Sequence, residues 1–116
     1  MGLRFTDLCV DAADTQALGS WWAEVLGYRQ ETTDDGDVIL RPPAGGGPNL
    51  LFLAVQDEKV VKNRLHIDLT PDDQEAEVDR LIGLGARRVD IGQGEQSWVV
   101  LADPEGNEFC VLAADG

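Results

Sequence analysis

The chain has 116 residues, of which 43% are hydrophobic and 27% charged, and this is the size and composition of one soluble domain. Its 9 basic and 22 acidic residues give a formal net charge of −13, and such a field repels nucleic-acid backbones and anionic membrane surfaces. The sequence has no signal-peptide pattern and no apolar run near the roughly 20 residues that span a bilayer. We therefore expect a cytoplasmic protein without nucleic-acid or membrane partners.

The first half of the chain begins with an alternating apolar segment, residues 5–10, which predicts a strand. A helix is predicted next, with its end at Gly27. One apolar stripe along it comprises Leu18, Trp21, Trp22, Val25 and Leu26. The adjacent tryptophans predict one core side chain and one that is partly exposed. Turn residues then separate three predicted strands, at residues 28–33, 38–41 and 50–55.

The second half repeats this order, starting with a predicted strand at residues 65–69. Thr70 is the expected cap of the following helix, and Pro71 suits its first turn. The buried stripe of that helix is predicted to be Val78, Leu81 and Ile82, with Gly85 ending it. Three more strands are predicted, at residues 86–91, 98–102 and 108–113.

The repetition predicts an α+β fold of two tandem βαβββ modules within a single domain, residues 1–116. Module one covers residues 3–56, the connector 57–64 and module two 65–114. A helix covers one face of each four-stranded mixed sheet, so the other, curved faces are expected to enclose a cleft. A small-molecule ligand would bind in that cleft.

Residues 62–69, KNRLHIDL, and residues 101–110, LADPEGNEFC, carry a family resemblance. With the two βαβββ patterns, they make the chain resemble the vicinal oxygen chelate superfamily, the glyoxalase/bleomycin-resistance/extradiol-dioxygenase fold. Within it the chain looks like the glyoxalase-like domain subgroup common in actinobacteria. The resemblance covers nearly the whole chain.

Metal-dependent members of that superfamily place one ligand on the first strand and one on the last strand of each module. Carried onto this sequence, the resemblance implies Asp7, Phe52, His66 and Cys110 at these positions. Glutamate is usual at the last-strand positions, and Glu108 lies two residues before Cys110 on the same strand face. A substitute metal set of Asp7, His66 and Glu108 would hold one divalent ion, Zn, Ni, Fe or Mn, with Glu108 moving a proton.

Each of these side chains also has a structural interpretation. His66, the only histidine, is either a metal ligand or a hydrogen-bond partner of a neighbouring strand or carboxylate. Cys9 and Cys110 are interpreted as buried, inert thiols, because an acidic chain does not lower a thiol pKa. Phe52 and Trp98 are either apolar walls for a ligand or core residues.

The connector is unusually basic for this chain, with Lys59, Lys62 and Arg64. These residues could clamp a carboxylate or phosphate of a ligand. They could instead pair with acidic side chains or hold the connector in place. Arg64 is kept as a candidate ligand-binding residue, together with Cys110.

Three functions fit the sequence. The first is a small-molecule-binding protein with a degenerate metal site, which sequesters a drug or metabolite as the antibiotic-binding members of the superfamily do. The alternative is a divalent-metal-dependent lyase, isomerase or dioxygenase-type enzyme acting on a substrate with two adjacent oxygens. A metal-free catalytic or regulatory role is a third option. A homodimer is compatible with the chain but not required by it.

Overall fold

A computed structural model describes residues 2, 4–44 and 46–114. Leu3, where module one is predicted to start, and Gly45, in the predicted turn at 42–48, lie outside the described residues. The chain divides into two compact units, Met1–Glu58 and Lys59–Gly116. In the part of the chain that the structure describes, neither helix is both long and apolar enough to cross a membrane.

The first unit is a four-stranded mixed sheet with one helix. Its elements are β1 (Asp7–Ala12), α1 (Thr15–Leu26), β2 (Arg29–Thr32), β3 (Val38–Arg41) and β4 (Asn49–Ala54). The strand order across the sheet is β1-β4-β3-β2. The outer strand β1 is parallel to β4, and the other neighbours are antiparallel.

Helix α1 has well-defined ends. The Asp14 side chain accepts a hydrogen bond from the Ala17 amide at 3.0 Å, which satisfies one of the free amides of the first turn. Gly27 ends the helix in the left-handed conformation, with φ 71°, as predicted. Trp21 and Trp22 are both buried and meet edge to face, with ring centroids 5.1 Å apart. The expectation of one partly exposed tryptophan is therefore wrong.

Helix α1 lies close to the sheet. A Cβ atom on Gly19 would stand 2.6 Å from Cγ1 of Val38, so this glycine lets helix and strand approach. Val38 is paired with Phe52 across β3 and β4, so the Phe52 side chain shares the sheet face that packs on α1. The core of the unit lies between this face and the helix.

The second unit repeats the topology with shorter strands. Its elements are β5 (Ile67–Leu69), α2 (Gln74–Gly83), β6 (Arg87–Arg88), β7 (Val99–Ala102) and β8 (Glu108–Val111). The strand order is β5-β8-β7-β6, with β5 parallel to β8. The α+β class and the two tandem modules predicted from the sequence are thus confirmed.

The limits of α2 differ from the prediction. Asp73, not Thr70, is the cap, and its side chain accepts a hydrogen bond from the Ala76 amide at 3.1 Å. Pro71 therefore precedes the helix. Val78 and Leu81 are buried, whereas Ile82 is 38% exposed, so the buried stripe is narrower than predicted.

The turn before β8 is built around Asp103, which is 1% exposed. Its carboxylate accepts hydrogen bonds from the amides of Glu105 and Asn107, at 3.0 and 2.9 Å, and from the Asn107 side chain. Gly106, with φ 90°, donates its amide to the Asp103 carbonyl at 2.8 Å. The DPEGN segment is thus a self-contained turn that delivers the chain into β8.

Candidate functional site

Three potential metal ligands meet on β5 and β8 of the second unit. The parallel register places Asp68 beside Cys110, and His66 directly precedes β5. One ligand atom from each of His66, Asp68 and Cys110 lies within 4.8 Å of the others. We call these three residues the His66 cluster.

His66 and Asp68 already interact within this cluster. Nε2 of His66 lies 3.2 Å from Oδ1 of Asp68, and both side chains are about half exposed. This contact matches the interpretation in which His66 has a neighbouring carboxylate as its partner. An exposed pair of this kind contributes little to stability, so its residues can take up another ligand.

The Cys110 thiol is buried and kept in its neutral form. Desolvation by burial is the main cause that raises the pKa of Cys110, and the neighbouring Asp68 carboxylate raises it further. The thiol is therefore protonated at neutral pH and a poor nucleophile. Cys9 is exposed, so its expected burial is wrong.

Glu108 is engaged by the connector. Its Oε2 lies 2.9 Å from Nζ of Lys59, and its Oε1 accepts a hydrogen bond of 2.8 Å from the Asn63 amide. Burial opposes ionisation of this carboxyl, but the bonds from Asn63 and Lys59 outweigh it and lower the pKa of Glu108. Lys59 thus pairs with an acidic side chain and holds the connector against β8, as two of the three interpretations of the basic connector residues expect.

In the first unit, Asp7 is exposed and its Oδ1 accepts a hydrogen bond of 3.0 Å from Nδ2 of Asn49. Phe52 is 1% exposed and lies on the opposite sheet face, against α1. Placing Phe52 with Asp7 is therefore wrong. On β4 the face of Asp7 carries Asn49, Leu51 and Leu53. Leu51 is paired with Cys9, as Cys110 is with Asp68, so Leu51 holds the position equivalent to Cys110. A one-residue shift along a strand reverses the direction of its side chain.

The other candidate residues are on the surface of the second unit. Trp98 is 37% exposed and directly precedes β7, so its ring is accessible to a ligand. Arg64 is exposed. Asp7 belongs to the first unit and His66 and Glu108 to the second, and their meeting around one ion stays a prediction.

Asp68 was not among the residues singled out in the sequence. Alternation along a strand could have found it, because it stands two residues after His66 and so shares its face. The register of β5 against β8, which brings Asp68 to Cys110, is a tertiary feature that alternation alone does not give.

These features define a class of protein: two βαβββ units, with a cluster of potential metal ligands between the first and last strands of the second. A sequence profile of the glyoxalase-like domain matches residues 7–112. The chain belongs to this family, and with it to the vicinal oxygen chelate superfamily. A comparison with curated protein sequences gives no significant match.

Solved structures with the same fold include proteins of different function. A glyoxalase/bleomycin resistance protein/dioxygenase family enzyme from Burkholderia phytofirmans PsJN has a TM-score of 0.73 and 18% identity, over 94% of this chain and 97% of that one. The antibiotic-binding protein TnmS3 from Streptomyces sp. CB03234 has a TM-score of 0.67 and 17% identity, over 99% of both chains. The bleomycin-binding protein from Streptomyces verticillus, solved with copper(II)-bleomycin, has a TM-score of 0.63 and 17% identity, over 99% of both chains.

Proposed function

We propose that this protein binds a small molecule, a drug or metabolite, and sequesters it without catalysing a reaction. One observation carries the proposal. Of the two last-strand positions at which the family resemblance leads us to expect glutamate, one holds Cys110, a buried thiol. Strand pairing gives Leu51, an apolar residue, for the other, because Phe52 is a core residue on the opposite sheet face. Glu108, the remaining candidate, has both carboxylate oxygens in contact with Lys59 and Asn63.

The chemistry of the second unit supports a ligand with an apolar ring and a positive charge. Trp98 offers an aromatic face, which attracts a cation as well as apolar surface. Asp68 adds an exposed carboxylate, and the chain as a whole has a net charge of −13. Cys110 and Arg64 are further candidate contacts. Two proteins of the same fold are described as binding antibiotics, which fits a ligand of this kind.

Bleomycin is a suitable first probe of this proposal, followed by a panel of cationic ring compounds. We expect a saturable increase in Tm with at least one of them and a loss of at least tenfold in affinity in Trp98→Ala. Ile82→Ala is the matched control, because Ile82 is exposed to the same extent but lies on α2. Equal binding by Trp98→Ala and the parent would contradict the proposal.

The alternative function, a divalent-metal enzyme, is favoured by the His66 cluster. Imidazole nitrogen, carboxylate oxygen and thiol sulfur together form a donor set that suits zinc better than a hard cation. A bound divalent ion would supply Lewis-acid chemistry on a substrate oxygen. The Cys110 proton would first have to leave, and Asp68 is the nearest group to accept it.

Metal analysis separates the two functions. Protein purified without chelators or tag-derived metal is expected to contain much less than one metal per chain, and cobalt(II) titration should give no thiolate charge-transfer band. One metal per chain, lost in His66→Ala and in Cys110→Ser but retained in Cys9→Ser, would replace the binding proposal with the enzyme. Cytoplasmic location and homodimer formation stay predictions.

A further inference from the structure

The first unit has a cavity that none of the residues of the His66 cluster lines. It has a volume of about 540 Å³, within the range of roughly 300–1,000 Å³ typical of small-molecule sites. Arg29 and Arg41 line it, together with Asn49 and the loop residues Pro42, Pro43 and Gly47. The cavity therefore combines two guanidinium groups with an amide and proline rings.

The two arginines lie directly opposite each other on neighbouring strands. Arg29 of β2 is paired with Arg41 of β3, and continuing the β3–β4 register places Arg41 beside Asn49. Gln30, between Arg29 and Glu31, exchanges hydrogen bonds with Ser20 of α1. Because Gln30 faces the helix, its neighbours face the other way, so the arginine pair lies on the sheet face that α1 leaves uncovered.

Like charges in directly opposed strand positions destabilise a sheet unless an anion lies between them. Glu31 supplies one carboxylate for both arginines, at 2.8 Å from Arg41 and 3.4 Å from Arg29. The hydrogen bond from Arg41 is the main cause that lowers the pKa of Glu31, so the carboxylate is ionised. The three residues together keep one net positive charge, in a chain with a net charge of −13.

Two prolines restrict the start of the loop that lines the cavity. Pro42 and Pro43 have fixed φ angles, and the Gly46 amide donates to the Pro43 carbonyl at 2.8 Å, which closes the turn. The C-terminal end of α1, at Gly27, also borders the cavity, and its carbonyl dipoles oppose an anion. That field fades within one helical turn, whereas two guanidinium groups can bind an anion directly and with fixed geometry.

We infer that this cavity binds a small organic anion, a phosphate monoester or carboxylate with a flat apolar body, between the guanidinium groups of Arg29 and Arg41. The proline rings form the apolar wall of the site. The Asn49 side-chain amide also borders it and donates one hydrogen bond, of 3.0 Å, to the Asp7 carboxylate, which leaves its second N–H for the anion. This site goes beyond the proposed function, because it uses none of the residues of the His66 cluster or Trp98. The anionic group of the ligand would neutralise the one positive charge of the arginine pair that Glu31 leaves unbalanced.

Titration of the full-length, ¹⁵N-labelled protein with phenyl phosphate, and separately with benzoate, tests the inference. We expect saturable chemical-shift changes at the amides of Arg29, Arg41 and Gly47. The ligand that binds with the lower Kd shows whether the site prefers a phosphate or a carboxylate. Benzylamine, a cation of similar size, should cause no shifts there. Shifts confined to residues 66–68 or 98, or no saturable shifts with either anion, would overturn the inference.

Substitutions make the test specific. Arg41→Gln should weaken binding of the preferred anion by about tenfold or more, and Arg87→Gln, which removes an exposed arginine from the second unit, should leave it unchanged. Glu31→Gln should strengthen binding, a gain that misfolding cannot produce. His66→Ala should have no effect, so failure of this inference is distinguishable from failure of the proposed function. Equal affinity in Arg41→Gln and the parent would contradict the inference.

Discussion

The two units share one topology but bury their last strands differently. Along β4 of the first unit, Leu50 and Phe52 are buried whereas Leu51 and Leu53 are half-buried, so one face of the strand is covered. Along β8 of the second unit, three successive residues from Phe109 to Val111 are buried, so both faces are covered. A repeated order of elements therefore does not determine which sheet face meets solvent.

The difference follows from what lies against each sheet. Helix α1 has six buried residues, and it approaches the sheet closely at Gly19. Helix α2 has only two, Val78 and Leu81. In the second unit the connector supplies further contacts to the sheet, because Lys59 and Asn63 bind Glu108 on β8. Unit one thus depends on its helix, and unit two also depends on a loop.

The largest expected effect is in the first unit. Phe52→Ala should lower the free energy of unfolding by about 3–5 kcal/mol, because it opens a cavity against α1. Leu53→Ala, on the other face of the same strand, is the control and should cost much less. Urea denaturation measures both. A loss below about 1 kcal/mol for Phe52→Ala would mean that Phe52 is not a core residue.

Glu108→Gln tests the connector in the second unit. It should lower the free energy of unfolding by about 1.5–3 kcal/mol, the typical contribution of hydrogen bonds to a charged group, because the Glu108 and Lys59 side chains are only 12% and 17% exposed. Glu31→Gln, in an exposed ion pair, should change stability little. If the two variants lose equal stability by urea denaturation, the connector contacts do not contribute.

The contribution of the Glu108 contacts to stability depends on pH in a predictable direction. The folded pKa of Glu108 lies below its ordinary value of 4.5, so its contribution is present in full above that value. It is lost as the pH falls from about 4.5 through the lower folded pKa. Stability of the parent should therefore decline more steeply with acidification than that of Glu108→Gln. Parallel curves for the two proteins would contradict the role assigned to this carboxylate.

Two helical glycines give the smallest effects, with opposite signs. Gly19→Ala should destabilise the protein by about 1–3 kcal/mol, because its Cβ would stand 2.6 Å from Val38. Gly83→Ala, in α2 with open space around the new Cβ, should stabilise it by about 0.5–1 kcal/mol through helix propensity. Thermal unfolding checks both. Equal signs would mean that α1 and α2 pack with similar closeness.

Most elements of the fold could be predicted from the sequence, because local signals such as turn residues and apolar periodicity determine them. Strand β3 has the predicted limits, residues 38–41, because turn residues flank it on both sides. The start of α2 was misplaced because Thr70 and Asp73 are both good caps, and only the structure shows which side chain reaches a free amide. Ile82 was misplaced because how much of a helix is buried depends on what packs against it.

The candidate site was predictable only in part. His66 and Cys110 were expected to lie near each other, and they do. Phe52 was misplaced because the register of β4 against β1 is a tertiary feature, and this register places Leu51 on the face of Asp7. The contacts of Glu108 with Lys59 and Asn63 join residues more than 40 positions apart, and neither spacing nor alternation indicates them.

The turn formed by Asp103 has a consequence for how relatives of this chain are recognised. The aspartate, glycine and asparagine that stand out in the sequence are needed to shape backbone, since Asp103 is buried and occupied by amides of its own loop. In this chain the loop therefore serves folding, whatever molecule the protein handles. A DPEGN segment in another sequence would therefore predict this turn and not a ligand or a reaction, which must be sought in side chains elsewhere.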